Sequence, residues 1–130
     1  MSILDDIQTY KSLDPTNLRD RLQNFPAQCF EAWDNVKRFE IPGEFREVDR
    51  VMVLGMGGSA IGGDLIVDLA SMERTPQIEV HRDYDTPSYV NKDTLVLACS
   101  FSGNTSETIS GFRRSRSKGA KLIAITTGGV

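Results

Sequence analysis

The 130-residue sequence predicts an α/β fold, an open parallel sheet with helices on its faces, preceded by a helical segment. Three observations predict it. Short, continuous apolar runs recur at Val51–Leu54, Leu95–Cys99 and Leu122–Ile125, as strands buried on both faces require. Segments with apolar residues at helical spacing alternate with these runs. Gly-rich or Ser-rich turns stand at the carboxyl ends of the first and third strands, where such sheets hold ligands.

The elements follow in order. The first forty or so residues read as helical. Asp14 followed by Pro15 reads as an N-cap with proline at the first helical position, and Leu18, Leu22 and Phe25 recur at helical spacing. Pro26 restarts the chain, and Cys29, Phe30, Trp33 and Val36 mark one face of a further helix, with Phe30 and Trp33 expected in a core. Pro42-Gly43 breaks it, and a charged connector runs from Glu44 to Arg50. The expected division is a helical segment, 1–43, and an α/β domain, 44–130.

After the first strand comes a glycine-rich turn, then a helix carrying Ile61, Leu65, Ile66 and Leu69. Ile78–Val80 is the second strand, Asp83 to Thr94 a loop, and Leu95–Cys99 the third strand. Ser100 to Asn104 turns into a helix reaching about Lys118, where Gly119 suits the position after the cap. Leu122–Ile125 is the fourth strand. A strand apolar on both faces sits inside a sheet under a following helix, so the chain is expected to be the first part of a longer one.

Composition excludes several functions. The chain is 39% hydrophobic and 25% charged, with a formal charge of −3, which argues against a basic nucleic-acid footprint. No apolar run approaches the roughly 18 residues that span a bilayer. The N-terminus lacks a signal-peptide pattern, and Cys29 and Cys99 form no metal or disulfide motif. A cytoplasmic protein without membrane or nucleic-acid partners, metal or cofactor is expected.

The two turns carry the chemistry. The first is Gly55-Met56-Gly57-Gly58-Ser59-Ala60-Ile61-Gly62-Gly63. Its glycines let the backbone approach an anion, and the next helix offers free N–H groups and a positive dipole end. The second is Ser100-Phe101-Ser102-Gly103-Asn104-Thr105-Ser106-Glu107, with Asn104 and Glu107 reading as an N-cap and its capping-box partner. Hydroxyls of Ser100, Ser102 and Thr105 can donate to phosphate oxygens. Taken alone, the first turn also matches a dinucleotide fingerprint, with Asp83 as a possible ribose partner. A dinucleotide leaves the second turn without a role, whereas two polar turns at one sheet edge can converge on one small anion. Gly62 and Gly63 each cost about 1 kcal/mol against alanine within a helix, so a close ligand or close packing must offset them.

At these residues the sequence resembles the SIS (sugar isomerase) domain, and more narrowly the bifunctional phosphoglucose/phosphomannose isomerases. The matching segments are Leu54 to Leu65 and Ser100 to Thr108. Asp83-Tyr84 with Pro87, the ending Ala124 to Gly129, and Asp14 to Asn17 with Phe25 to Gln28 are similar too. The resemblance implies a flavodoxin-like parallel sheet, two such domains in a complete subunit, and a homodimer. It implies that turns at Gly57, Gly58 and Ser59, and at Ser100, Ser102 and Thr105, hold the phosphate of a sugar phosphate. The implied reaction interconverts an aldose 6-phosphate (glucose or mannose) and fructose 6-phosphate without a metal, through an enediolate. The glutamate, histidine and arginine it needs have no matching positions here, so no catalytic residue is assigned and the fragment alone is expected to be inactive. A sugar-phosphate-sensing SIS module and a nucleotide-binding Rossmann domain are the alternatives.

The remaining candidates read as structural. His81 is the only histidine, Asp64 and Asp68 form a solvated helix face, and Cys99 is a small hydrophobe on a buried strand. Arg113 to Lys118 is a basic helix end of the kind that favours the dipole.

Overall fold

The computed structural model describes residues 6–73 and 76–129. The chain divides into two compact units, Met1–Ile41 and Pro42–Val130.

The first unit holds α1 (Ile7–Leu13), α2 (Leu18–Gln23) and α3 (Phe25–Lys37). Asp6 caps α1 by accepting the Gln8 N–H at 3.0 Å. Asp14 caps a helix, but not the one expected to begin at Pro15. Its carboxylate reaches forward to the N–H groups of Leu18 (2.8 Å) and Arg19 (2.9 Å), so α2 begins at Leu18. Asn17, at φ 53°, makes the corner. The Arg19 and Leu18 N–H groups hold the Asp14 carboxyl below its ordinary range. Pro26 sits in the first turn of α3, where its missing N–H is harmless. Phe30 and Trp33 depart from the expected core, being 73% and 63% exposed. The three helices bury none of their residues, because the described residues of this unit set no second apolar layer against the α3 face.

The second unit is a four-stranded, wholly parallel sheet in the order β2-β1-β3-β4. The strands are β1 (Arg50–Leu54), β2 (Gln77–His81), β3 (Thr94–Ser100) and β4 (Lys121–Thr126). That is the opening order of a flavodoxin-like sheet, and it reverses direction between β1 and β3. Helix α4 (Gly58–Ala70) follows β1, and α5 (Ser106–Ser117) follows β3. Met52, Leu54 and Val96 are fully buried, each contributing about 1.5–3 kcal/mol by leaving water. Val90 and Ala98 complete the cluster.

Two neighbouring glycines of α4 differ in purpose. A Cβ at Gly63 would stand 2.9 Å from both Val53 Cγ1 and Val80 Cγ2, so close packing on the sheet explains it. A Cβ at Gly62 would meet nothing within 4 Å. Beside Gly62, Ile61, Leu65 and Leu69 are 57–68% exposed. β4 has the apolar content of an interior strand, yet among the described residues it pairs only with β3, and its outer half is exposed from Ala124 onward.

The connection between β2 and β3 is irregular from Arg82 to Asp93, as expected, and is tied along α5. Ser110 Oγ donates to the Tyr84 carbonyl (2.9 Å), Arg114 pairs with Asp85 (3.3 Å), and Lys118 Nζ donates to the Pro87 carbonyl (2.8 Å). Part of the basic helix end therefore anchors this loop. Gly119, at φ 79°, ends α5 where the sequence places it.

Candidate functional site

The carboxyl ends of β1 and β3 are neighbours, so the two turns leave the sheet side by side at its reversal point. Turn one is built by close backbone approach. A Cβ at Gly55 would stand 3.0 Å from the Ser59 carbonyl, so the chain can fold back only without one. Gly57 caps α4 at φ 51°, a conformation that side chains disfavour. The Ser59 N–H donates to the Met56 carbonyl and the Ala60 N–H to that of Gly57, both at 3.1 Å. Gly57 and Gly58 are exposed, with open space on the side where a Cβ would stand. An anion can therefore approach the amino end of this 13-residue helix.

Turn two is built by hydroxyls. Ser100, buried at the end of β3, shares a hydrogen bond with Thr105 (Oγ to Oγ1, 3.0 Å). The Gly103 N–H donates to Ser100 Oγ (3.1 Å), and the Asn104 N–H to Ser102 Oγ (3.2 Å). These bonds move the helix start. Thr105, not Asn104, is the N-cap of α5, and it makes no side-chain capping bond because its hydroxyl lies against Ser100. Glu107 is accordingly no capping-box partner. Its carboxylate holds the Tyr84 hydroxyl and, as the main cause, its charge raises the Tyr84 phenol above its usual range.

The turns meet. The Phe101 N–H donates to Ser59 Oγ at 3.4 Å, across 42 positions of sequence. Ser59 is thereby tied to the backbone next to the bonded Ser100–Thr105 pair, forming one set with Gly57 and Gly58 on its first turn and Ser102 on its second. What the set offers chemically is neutral: backbone N–H groups and hydroxyls at the amino ends of two helices, suited to an oxyanion. Among the described residues, no group of three or more His, Cys, Asp and Glu side chains could hold a metal ion. No helix among them is long and apolar enough to cross a membrane.

The other candidates take structural places. His81 Nε2 lies 2.6 Å from the Asp85 carbonyl. Asp64 is paired with Arg82, and Asp68 is solvated. Burial pushes the Cys99 thiol up, in keeping with a small hydrophobe on a buried strand. Asp83 accepts the N–H of its own neighbour Tyr84 at 2.6 Å.

The family that this arrangement suggests is matched directly. Residues 44–129 match the SIS domain. The chain belongs to the SIS domain family. A bifunctional phosphoglucose/phosphomannose isomerase of Caldicellulosiruptor bescii is 44% identical over 85% of this chain and 32% of its own length. The protein of the same description from Thermoplasma acidophilum is 37% identical over 86% of this chain and 35% of its own. A D-glucosamine-6-phosphate 4-epimerase of Sulfolobus acidocaldarius is 34% identical over 79% and 33%. The chain thus spans about a third of the length of these curated relatives.

Among solved structures, a candidate phosphosugar isomerase of Bacillus subtilis superposes with a TM-score of 0.55 at 29% identity, over 62% of this chain and 26% of that one. One of Salmonella typhimurium LT2 gives 0.53 at 23% identity, over 68% and 32%, and bears on the fold alone. Both turns of this SIS chain fall within the matched residues. One contact at the site had no local signal. The Phe101 carbonyl is gripped by Thr127, beyond β4, and only the neighbouring position of β3 and β4 reveals it.

Proposed function

We propose that this SIS chain supplies the phosphate grip of a sugar-phosphate isomerase that interconverts glucose 6-phosphate or mannose 6-phosphate with fructose 6-phosphate. The observation that carries this reading is the Phe101 N–H to Ser59 Oγ bond, which brings the glycine turn and the hydroxyl turn to one place. Gly57 and Gly58 would present backbone N–H groups to the phosphate. Ser59, Ser100, Ser102 and Thr105 would donate hydroxyl protons once the internal bonds rearrange around it. The names and lengths of the relatives support the isomerase.

The grip would fix the sugar's position through its non-reacting end, leaving C1 and C2 free for proton transfer. The proton-transfer groups are assigned to the remainder of a protein of the relatives' length. The same reading carries residues 1–43 as a helical lead-in to a first SIS domain from residue 44, a homodimeric subunit, and a cytoplasmic location.

The test is calorimetric titration of the protein with glucose 6-phosphate and, separately, with NAD, using Ser102→Ala as the comparison. A hydrogen bond to a charged group is worth about 1.5–3 kcal/mol, so this change should weaken sugar-phosphate binding roughly 10- to 150-fold. Saturable NAD binding that is indifferent to Ser102→Ala would overturn the reading in favour of a nucleotide domain.

A further inference from the structure

We propose that Thr127, just beyond β4, is a positioning residue for turn two, and that through it β4 aims the Ser102 N–H toward turn one. The proposal rests on the phosphate-binding reading of these turns and assigns a new part of the chain to them.

Residue 101 is held from two sides. Its N–H donates to Ser59 Oγ of turn one at 3.4 Å. Its carbonyl accepts from Thr127, from the side-chain hydroxyl at 2.6 Å and from the backbone N–H at 3.3 Å. Because β3 lies between β1 and β4, these bonds pull the two polar groups of one residue to opposite sides. In a regular strand, the N–H and C=O of one residue point the same way, so the chain must turn here.

The direction of that turn matters for an anion. In a planar trans peptide, the C=O and the N–H that follows it point in opposite directions. Fixing the Phe101 carbonyl on the β4 side therefore directs the Ser102 N–H to the β1 side, where the Phe101 N–H already points. Two successive N–H groups on one side form the kind of concavity that binds oxyanions.

A second contact secures the same turn at its far end. Thr126 Oγ1 donates to the Gly128 carbonyl (2.6 Å) and accepts the Gly128 N–H (3.2 Å), curling the chain back after β4. This lays the Gly128 carbonyl against Gly103, which sits at φ 70° and has no space for a Cβ on that side. The segment after β4 thus holds turn two at residues 101 and 103, on either side of Ser102. Thr127 itself is exposed, so apolar packing does not account for its place.

The experiment compares Thr127→Val, which keeps the shape and loses the hydroxyl, with Thr127→Ser, which keeps the hydroxyl. Both are made in the protein expressed from its complete reading frame and titrated with inorganic phosphate and with glucose 6-phosphate. Thr127→Val should weaken both ligands about 5- to 20-fold, while Thr127→Ser stays within about twofold of the parent. In the isomerase assay, the loss should fall on KM rather than kcat, as for an interaction equal in ground and transition states. Thr127→Ala, which adds no apolar methyl, serves as a second arm if the valine variant folds poorly, and it must shift binding in the same direction.

Parental phosphate affinity in Thr127→Val and Thr127→Ala, with Ser102→Ala impaired, would overturn the positioning role and leave the phosphate reading standing. Unchanged binding in all of them, Ser102→Ala included, would overturn both.

Discussion

Turn one, after β1, and turn two, after β3, stand side by side at the sheet's reversal point, yet they hold their shapes by different means. Turn one relies on absent side chains: Gly55 lets the backbone fold onto Ser59, Gly57 adopts φ 51°, and the space over Gly57 and Gly58 stays open. Turn two relies on side chains that are present, with Ser100, Ser102 and Thr105 bonded within the turn and Thr127 gripping it from β4. The glycine constraints that shape turn one are local, lying within a few residues, while Ser59 Oγ ties it to turn two. Turn two is held from afar, so its geometry depends on the sheet edge. The comparison teaches that, on the proposed reading, one anion site would join a backbone cradle specified locally to a hydroxyl cradle specified by strand order.

The sharpest way to break this contrast is Gly103→Ala. The residue has φ 70°, and a Cβ there would run into the Gly128 backbone. The left-handed cost of about 1–2 kcal/mol is joined by that of displacing the post-β4 segment, for a total of roughly 2–4 kcal/mol. Urea denaturation should show that loss, and sugar-phosphate binding should fall more than tenfold.

Gly57→Ala is milder, because a Cβ there meets nothing within 4 Å. Only the backbone conformation opposes it, φ 51° with ψ −127°, costing about 1–3 kcal/mol in the same denaturation assay. Binding should weaken as the cap of α4 relaxes. If Gly57→Ala proves more damaging than Gly103→Ala, the distinction between a local and a distantly held turn fails.

The smallest effect is expected at Gly62, and with the opposite sign. It lies in the helix that follows turn one, exposed and without a neighbour in the way of a Cβ. Alanine should therefore stabilise the chain by about 0.5–1 kcal/mol, seen as a raised denaturation midpoint. Gly63→Ala should destabilise it instead, because its Cβ would press on Val53 and Val80. A loss at Gly62 equal to that at Gly63 would show that both are packing glycines.

Much of the sheet unit was legible in the sequence. Val51–Leu54, Leu95–Cys99 and Leu122–Ile125 each lie inside a strand, and Gly119 ends α5, because apolar runs and a left-handed glycine are local signals. Helix starts were less legible. Asp14 was recognisable as a cap, but its carboxylate serves Leu18 and Arg19 rather than the turn at Pro15. Asn104 and Glu107 have capping-box spacing, yet Glu107 is engaged with Tyr84, Thr105 lies against Ser100, and α5 begins after Thr105. Phe30 and Trp33 form an apolar stripe without being buried, since periodicity shows that a face exists but not what opposes it.

The sequence by itself determined the α/β alternation, the places of the two turns, and the residue types that suit them to an oxyanion. These follow from side-chain chemistry and from spacing within about ten residues. Tertiary structure alone decided that Ser59 meets Phe101, that Thr127 reaches back to Phe101, and that Gly63 is a packing glycine while Gly62 is not. Each depends on which strands are neighbours, and parallel strands are neighbours through crossovers that no short window of sequence contains.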